Sequence, residues 1–189
     1  MPQLTRKAII DSFIRLLNEK PLDKITVKDI VEDCGINRNT FYYYFDDIRT
    51  LVVDIMNMET EKVISKHIED KSWEEGFIDA AKFALDNKKA VYHIYNSVSR
   101  DELERYLNVI TNEAISEYVV MVSDGISILD SDKELIVNFY KYALVGMVLD
   151  WIGRGMKGNA EVQIRRLGQL LDGNILHLLK ICGRYENMN

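Results

Sequence analysis

The residues best equipped for chemistry lie together in the run Asn37-Arg38-Asn39-Thr40-Phe41-Tyr42-Tyr43-Tyr44-Phe45. An arginine guanidinium matches the O6/N7 edge of guanine, and an asparagine amide matches the N6/N7 edge of adenine. Threonine and tyrosine hydroxyls can donate to phosphate oxygens, and tyrosine rings can pack on thymine methyl groups. On a helix, Phe41 and Phe45 share one face, which turns Arg38, Asn39, Tyr42 and Tyr43 outward. The successive aromatics span more than one helical turn, so they cannot all enter a single core. Exposed tyrosines beside Arg and Asn favour contact with a duplex over ordinary packing.

The flanking sequence supplies elements to hold that run. Residues 5–19 read as an amphipathic helix with Ile9, Phe13, Leu16 and Leu17 on its buried face, ended by Lys20-Pro21-Leu22-Asp23. Thr26 caps a second helix, Asp29 completes a capping box, and Val27, Ile30, Val31 and Cys34 face inward. Gly35 stops that helix, and Asn37 caps a third from Arg38 to Phe45. Two short helices about a glycine turn form the bihelical unit that places its second helix in a major groove.

Asp47 caps a fourth helix running to about Asp70. Capping boxes at Ser72 to Glu75 and Ser99 to Glu102, with the break at Asp124-Gly125, imply helices over about 73–87, 89–97 and 100–123. Two more run from Ser131 or Asp132 to Gly153 and from Ala160 to Cys182. Strand-like alternation is absent. The expected fold is all-α, with about nine helices. A three-helix helix-turn-helix head (1–50) stands on a helical-bundle regulatory and dimerisation domain (51–189).

Charge and composition narrow the class. Net charge is −6, from 24 Lys and Arg against 30 Asp and Glu, but residues 1–50 are balanced, so the excess acid lies in the body. The head is therefore expected to attract phosphate only weakly. Cys34 and Cys182 are too few for a disulfide framework and suit a reducing cytoplasm, with Cys34 a small buried apolar residue. There is neither a signal-peptide pattern nor an uninterrupted apolar run long enough for a bilayer, so a soluble cytoplasmic protein with no membrane partner is expected. His67, His93 and His177 are isolated from one another and from both cysteines, which leaves no metal spacing. Gly153-Arg154-Gly155-Met156-Lys157-Gly158 matches G-x-G-x-x-G but follows a helix instead of a strand, so it reads as a loop. No nucleophile or acid–base constellation appears, so neither an enzyme nor a cofactor is expected. The runs Glu59, Glu61, Lys62 and Glu102, Glu104, Arg105 read as solvated helix faces.

Residues 5–55 resemble the TetR family of bacterial regulators. The likeness is carried by Ile9 to Leu17, Ile25-Thr26-Val27-Lys28-Asp29-Ile30, Cys34-Gly35-Ile36, Thr40-Phe41-Tyr42, Phe45 and Leu51. It implies base-reading positions at Lys28, Arg38, Asn39 and Tyr42, and phosphate contacts near Thr26, Thr40, Tyr43 and Tyr44. Asn37 joins this set as the cap of the reading helix. Where the family usually has a lysine at the start of the fourth helix, this chain has Ile48 after Asp46-Asp47, and Arg49 is expected to compensate. The Phe-Tyr-Tyr-x-Phe-x-Asp-Ile pattern also resembles a branch that includes coactivators of dihydroxyacetone-kinase operons.

The resemblance implies a homodimer on the last two helices and an unidentified small-molecule effector. Phe139, Ala143 and Gly146, with Ile164, Leu167, Leu171, Ile175 and Leu178, are the expected interface. Tyr92, His93, Tyr95, Tyr106, Tyr118, Met121, Tyr142 and Trp151 are the amphipathic residues expected around a pocket. The functional expectation is a repressor that binds a palindromic double-stranded operator as a dimer. The alternative is a coactivator or adaptor acting through protein partners with weak DNA binding.

Overall fold

The computed structural model describes residues 2–70, 73–97 and 99–186. Among these, nine α-helices form and no strand does: α1 (Pro2–Glu19), α2 (Val27–Cys34), α3 (Arg38–Tyr44), α4 (Ile48–Asp70), α5 (Trp73–Asp86), α6 (Lys88–Tyr95), α7 (Arg100–Val122), α8 (Asp130–Gly153) and α9 (Ala160–Glu186). A single 3-10 turn, Leu22–Lys24, links α1 to α2. The all-α reading holds.

Local chemistry explains the head. Thr26 and Asp29 form a full capping box, with the Asp29 N–H donating to Thr26 Oγ1 (3.2 Å) and the Thr26 N–H donating to Asp29 Oδ2 (2.8 Å). Gly35 ends α2 at φ +70°, a left-handed conformation that an L side chain rarely adopts. The Thr40 N–H donates to Asn37 Oδ1 (2.9 Å) to start α3, and the Thr50 N–H donates to Asp47 Oδ1 (2.7 Å) to start α4.

Elsewhere the cap signals divide. Ser99 makes no side-chain cap bond, its N–H donates to Ser97 Oγ (3.1 Å), and the Glu102 carboxylate accepts from Arg49 instead of closing a capping box. Ser72 and the side chain of Trp73 lie outside the described residues.

The cores join head to body. Ile9, Phe13 and Leu17 of α1 belong to the same buried cluster as Ala90 and Ile94 of α6 and Leu107 of α7. Polar bonds tie the same seam: Asn18 Nδ2 donates to Asn87 Oδ1, the Ala90 N–H donates to Asn18 Oδ1, and His93 Nδ1 lies 2.7 Å from the Leu17 carbonyl oxygen. A second cluster joins the end of α7 to α8 and α9 through Ile115, Val137, Leu171, Ile175 and Leu179.

The expectation for α9 changes. The residues on α9 expected at an interface, Ile164, Leu167, Leu171, Ile175 and Leu178, pack into this second cluster within one chain. Their spacing defines a buried face, and the chain itself supplies its cover. The helix α8 is long and apolar enough to cross a membrane by length and composition, although Asn138, Lys141 and Asp150 interrupt its apolar residues. Only 28% of that apolar window is buried, so its surplus hydrophobicity lies on the surface.

Candidate nucleic-acid interface

The helix α3 presents the face that its sequence predicts. Phe41 and Phe45 are buried in the head core, while Arg38, Asn39, Tyr42 and Tyr43 are exposed. Tyr43, 78% exposed, is the most open aromatic on the helix. The exposed rings are held by ring contacts: Tyr42 meets Phe41 edge-on (5.6 Å between centroids), and Tyr43 meets Tyr44 likewise (5.0 Å). Contacts of this kind restrict side-chain rotation, and less freedom in the free state means less entropy lost on binding.

Other predicted contacts split by what already occupies them. Lys28 is exposed on α2, with Glu32 at 3.7 Å. Thr26 and Asn37 spend an oxygen each on capping, and the Thr40 hydroxyl donates to Asn37 Oδ1 (3.1 Å). Tyr44 is half-buried. Asp29 is held at a pKa of about 2, chiefly by the Thr26 hydroxyl and backbone N–H, then by Lys20. It therefore stays ionised at the N-terminus of α2, where negative charge is stabilising. Asp47 is likewise lowered by the Thr50 N–H it accepts from, so it serves as the cap of α4.

Arg49 is placed differently from expectation. Its Nε and Nη2 donate to Glu102 Oε1 at 2.7 and 2.5 Å. The Glu102 side chain is only 3% exposed, and its Oε2 has no hydrogen-bond partner among the described residues. Glu102 is thus an interior carboxylate and not part of a solvated face. Its neighbours carry the signal, since Leu103, Tyr106 and Leu107 place it beside the buried face of α7. A second head-to-body pair joins Arg6 of α1 to Asp54 of α4.

Below the head, α1 and α4–α9 enclose a cavity of about 190 Å³. Of the residues expected to line it, Tyr106 and Trp151 do. The other six do not. Tyr92, Met121 and Tyr142 are exposed, Tyr118 is buried in the second core, His93 is bonded at the head seam, and Tyr95 stacks under the Arg100 guanidinium (4.5 Å). The wall is instead made by apolar positions such as Val52, Ile55, Phe77, Phe83 and Leu103. Polarity is the wrong guide here, because pockets are mostly apolar and share their residue types with the core. Glu59, also expected in solvent, lines this cavity and pairs with Lys62 (2.5 Å). His67 has no described side chain. Cys34 is half-buried, and desolvation raises its thiol pKa.

A helix-turn-helix with an exposed Arg-Asn-Tyr face, joined to a helical body containing a cavity, defines a DNA-binding transcriptional regulator. Comparison with known proteins agrees. Residues 9–55 match the model for bacterial regulatory proteins of the tetR family, and residues 71–173 match a transcriptional regulator C-terminal region of the same family. The chain belongs to the TetR family, whose members are non-enzymatic DNA-binding transcription factors.

Solved structures share the fold. The dihydroxyacetone kinase operon activator DhaS aligns with a TM-score of 0.77 at 20% identity, covering 90% of this chain and 96% of its own. The fatty acid degradation regulator FadR from Bacillus halodurans gives 0.61 at 18% identity, covering 88% and 97%. A TetR transcriptional regulator from Streptococcus agalactiae 2603V gives 0.59 at 17%, covering 94% of each. No curated protein matches the sequence.

Proposed function

We propose that this chain is a cytoplasmic repressor that binds a palindromic operator as a homodimer and leaves it when a small molecule fills the body cavity. The observation that carries the reading is the exposed Arg38, Asn39, Tyr42 and Tyr43 face of α3, anchored from behind by buried Phe41 and Phe45. Lys28, Arg38, Asn39 and Tyr42 supply the base-reading side, and Thr26, Thr40, Tyr43 and Tyr44 supply the phosphate side.

Dimerisation rests on α8. Leu135, Phe139, Tyr142, Ala143 and Gly146 recur on one helix face and are all exposed, with Leu135 and Phe139 near two-thirds open. A Cβ at Gly146 would meet nothing within 4 Å in this chain. Glycine inside a helix costs about 1 kcal/mol relative to alanine, and no contact within the protomer requires it. A second copy of α8 packed close against it would. On α9, Leu170 adds to the exposed apolar area.

Effector response rests on position. The cavity touches α4 at Val52, Ile55, Met56 and Glu59, and α4 begins where the head ends. An occupant that favours one setting of α4 shifts the population of head spacings, and with it the fit to successive major grooves.

Gel-shift titration on the DNA upstream of the protein's own gene tests this reading. A specific, salt-sensitive complex with two chains per site is expected. Failure to prefer any duplex over competitor DNA at low salt would contradict it.

One observation favours a second reading, activation through a protein partner, in line with the activator role that DhaS carries in its name. The cation expected to grip phosphate, Arg49, is held by Glu102, and Asp46 and Asp47 stand beside it. Under this reading duplex affinity is weak for the chain alone and rises when the partner is added.

A further inference from the structure

The chemistry of the cavity wall defines what it accepts. Among the described residues lining it, Glu59 is the one carboxylate, and no lysine, arginine or histidine faces the space. Most of the rest is aliphatic, with the aromatic rings of Phe13, Phe77, Phe83, Tyr106 and Trp151 set among it. The Trp151 Nε1–H is already spent on the Lys157 carbonyl (3.2 Å). Burial first, and the Glu59 charge second, push the pKa of the Tyr106 hydroxyl well above the ordinary phenol value, so it remains a neutral donor and acceptor. Lys62 reaches Glu59 from outside, with its own side chain 63% exposed.

We infer that the effector is a small lipophilic cation, an aromatic or short alkyl ammonium whose charged head meets Glu59 and Tyr106 while its body fills the apolar space. This rests on the effector reading above and narrows it to a ligand class. Three physical terms point the same way. A carboxylate at the edge of a low-dielectric cavity favours an ammonium over an anion, and the incoming head competes for Glu59 with the exposed Lys62. Aromatic faces attract cations through their quadrupoles. A carboxylate or phosphate ligand would find no cation among the described wall residues and would also have to overcome Glu59. Size sets the other limit: a cavity of about 150 Å³ lined by apolar groups holds benzene, so about 190 Å³ suits one ring with a short polar arm.

Titration calorimetry on the full chain with three near-isosteric probes, phenethylammonium, phenethyl alcohol and phenylacetate, tests the class. Phenethylammonium should bind at least about tenfold more tightly than the alcohol, as expected for a charge-assisted bond in place of a neutral one. Phenylacetate should bind weakest. Glu59→Gln, checked for folding by circular dichroism, should erase the advantage of the ammonium while leaving the alcohol unchanged. If the alcohol or phenylacetate binds the wild type as tightly as the ammonium, the ligand class is overturned and the cavity reading stands. The class is equally overturned if Glu59→Gln leaves ammonium affinity unchanged. If none of the three binds the wild type, both the class and the effector cavity are overturned.

Discussion

Arg49, in the first turn of α4, places two of its nitrogens on a single oxygen of Glu102, in the first turn of α7. The bond spans the junction between the DNA-binding helices and the body, and its two helices also wall the cavity through Glu59 and Tyr106. A shift of α4 relative to α7 therefore alters the cavity and this ion pair together. Glu102 is buried, so losing its cation is costlier than an exposed pair would imply.

Removing Arg49 should consequently hurt more than removing both partners. Arg49→Ala is expected to lower the melting temperature, and the double variant Arg49→Ala with Glu102→Gln is expected to recover much of the loss. A double-mutant cycle by thermal denaturation measures the coupling. Simple additivity of the two single changes would show that the pair does not act as a unit.

The cap of α2 gives a pH signature. Asp29 has a folded pKa of about 2, below its unfolded value of about 3.9. A depressed carboxylate adds stability above the unfolded pKa and loses it as pH falls through the folded one. Wild type should therefore exceed Asp29→Asn in urea midpoint at pH 5, and the gap should close as pH approaches 2. A gap that stays constant over this range would remove Asp29 ionisation as its cause.

The two faces of the C-terminal helices should respond oppositely. Ile175 is fully buried, so Ile175→Ala should cost about 2–5 kcal/mol of stability. Phe139, 65% exposed, should be nearly silent in protomer folding, yet Phe139→Asp should leave a monomer by light scattering after size exclusion. A Phe139→Asp protein that elutes as a dimer would place the interface elsewhere.

Much of the head is legible in the sequence because its signals are local. Thr26 with Asp29, Gly35 and Asn37 act within a few residues of themselves, and the four-residue spacing of Phe41 and Phe45 fixes which side of α3 faces out. The body is legible as helices but not as a site. Apolar periodicity on α9 marks a buried face, yet periodicity does not say whether the same chain or a second copy covers it. Polar residues mislead about the pocket for a related reason: Tyr142 and Met121 lie on the outer surface, whereas the cavity is lined by residues indistinguishable from core. Glu59 and Glu102 look like surface charges in the sequence because their burial depends on helices distant along the chain.

Footprinting on the upstream DNA, with wild type and Arg38→Ala in parallel, tests the central claim most directly. The wild type should protect a two-fold symmetric site whose half-sites lie about one helical turn apart. Arg38→Ala should weaken binding by about 1–3 kcal/mol and relax base preference at one position in each half-site. Absence of a protected site for the wild type, or an unchanged sequence preference in Arg38→Ala, would contradict the assignment of α3 as the reading helix.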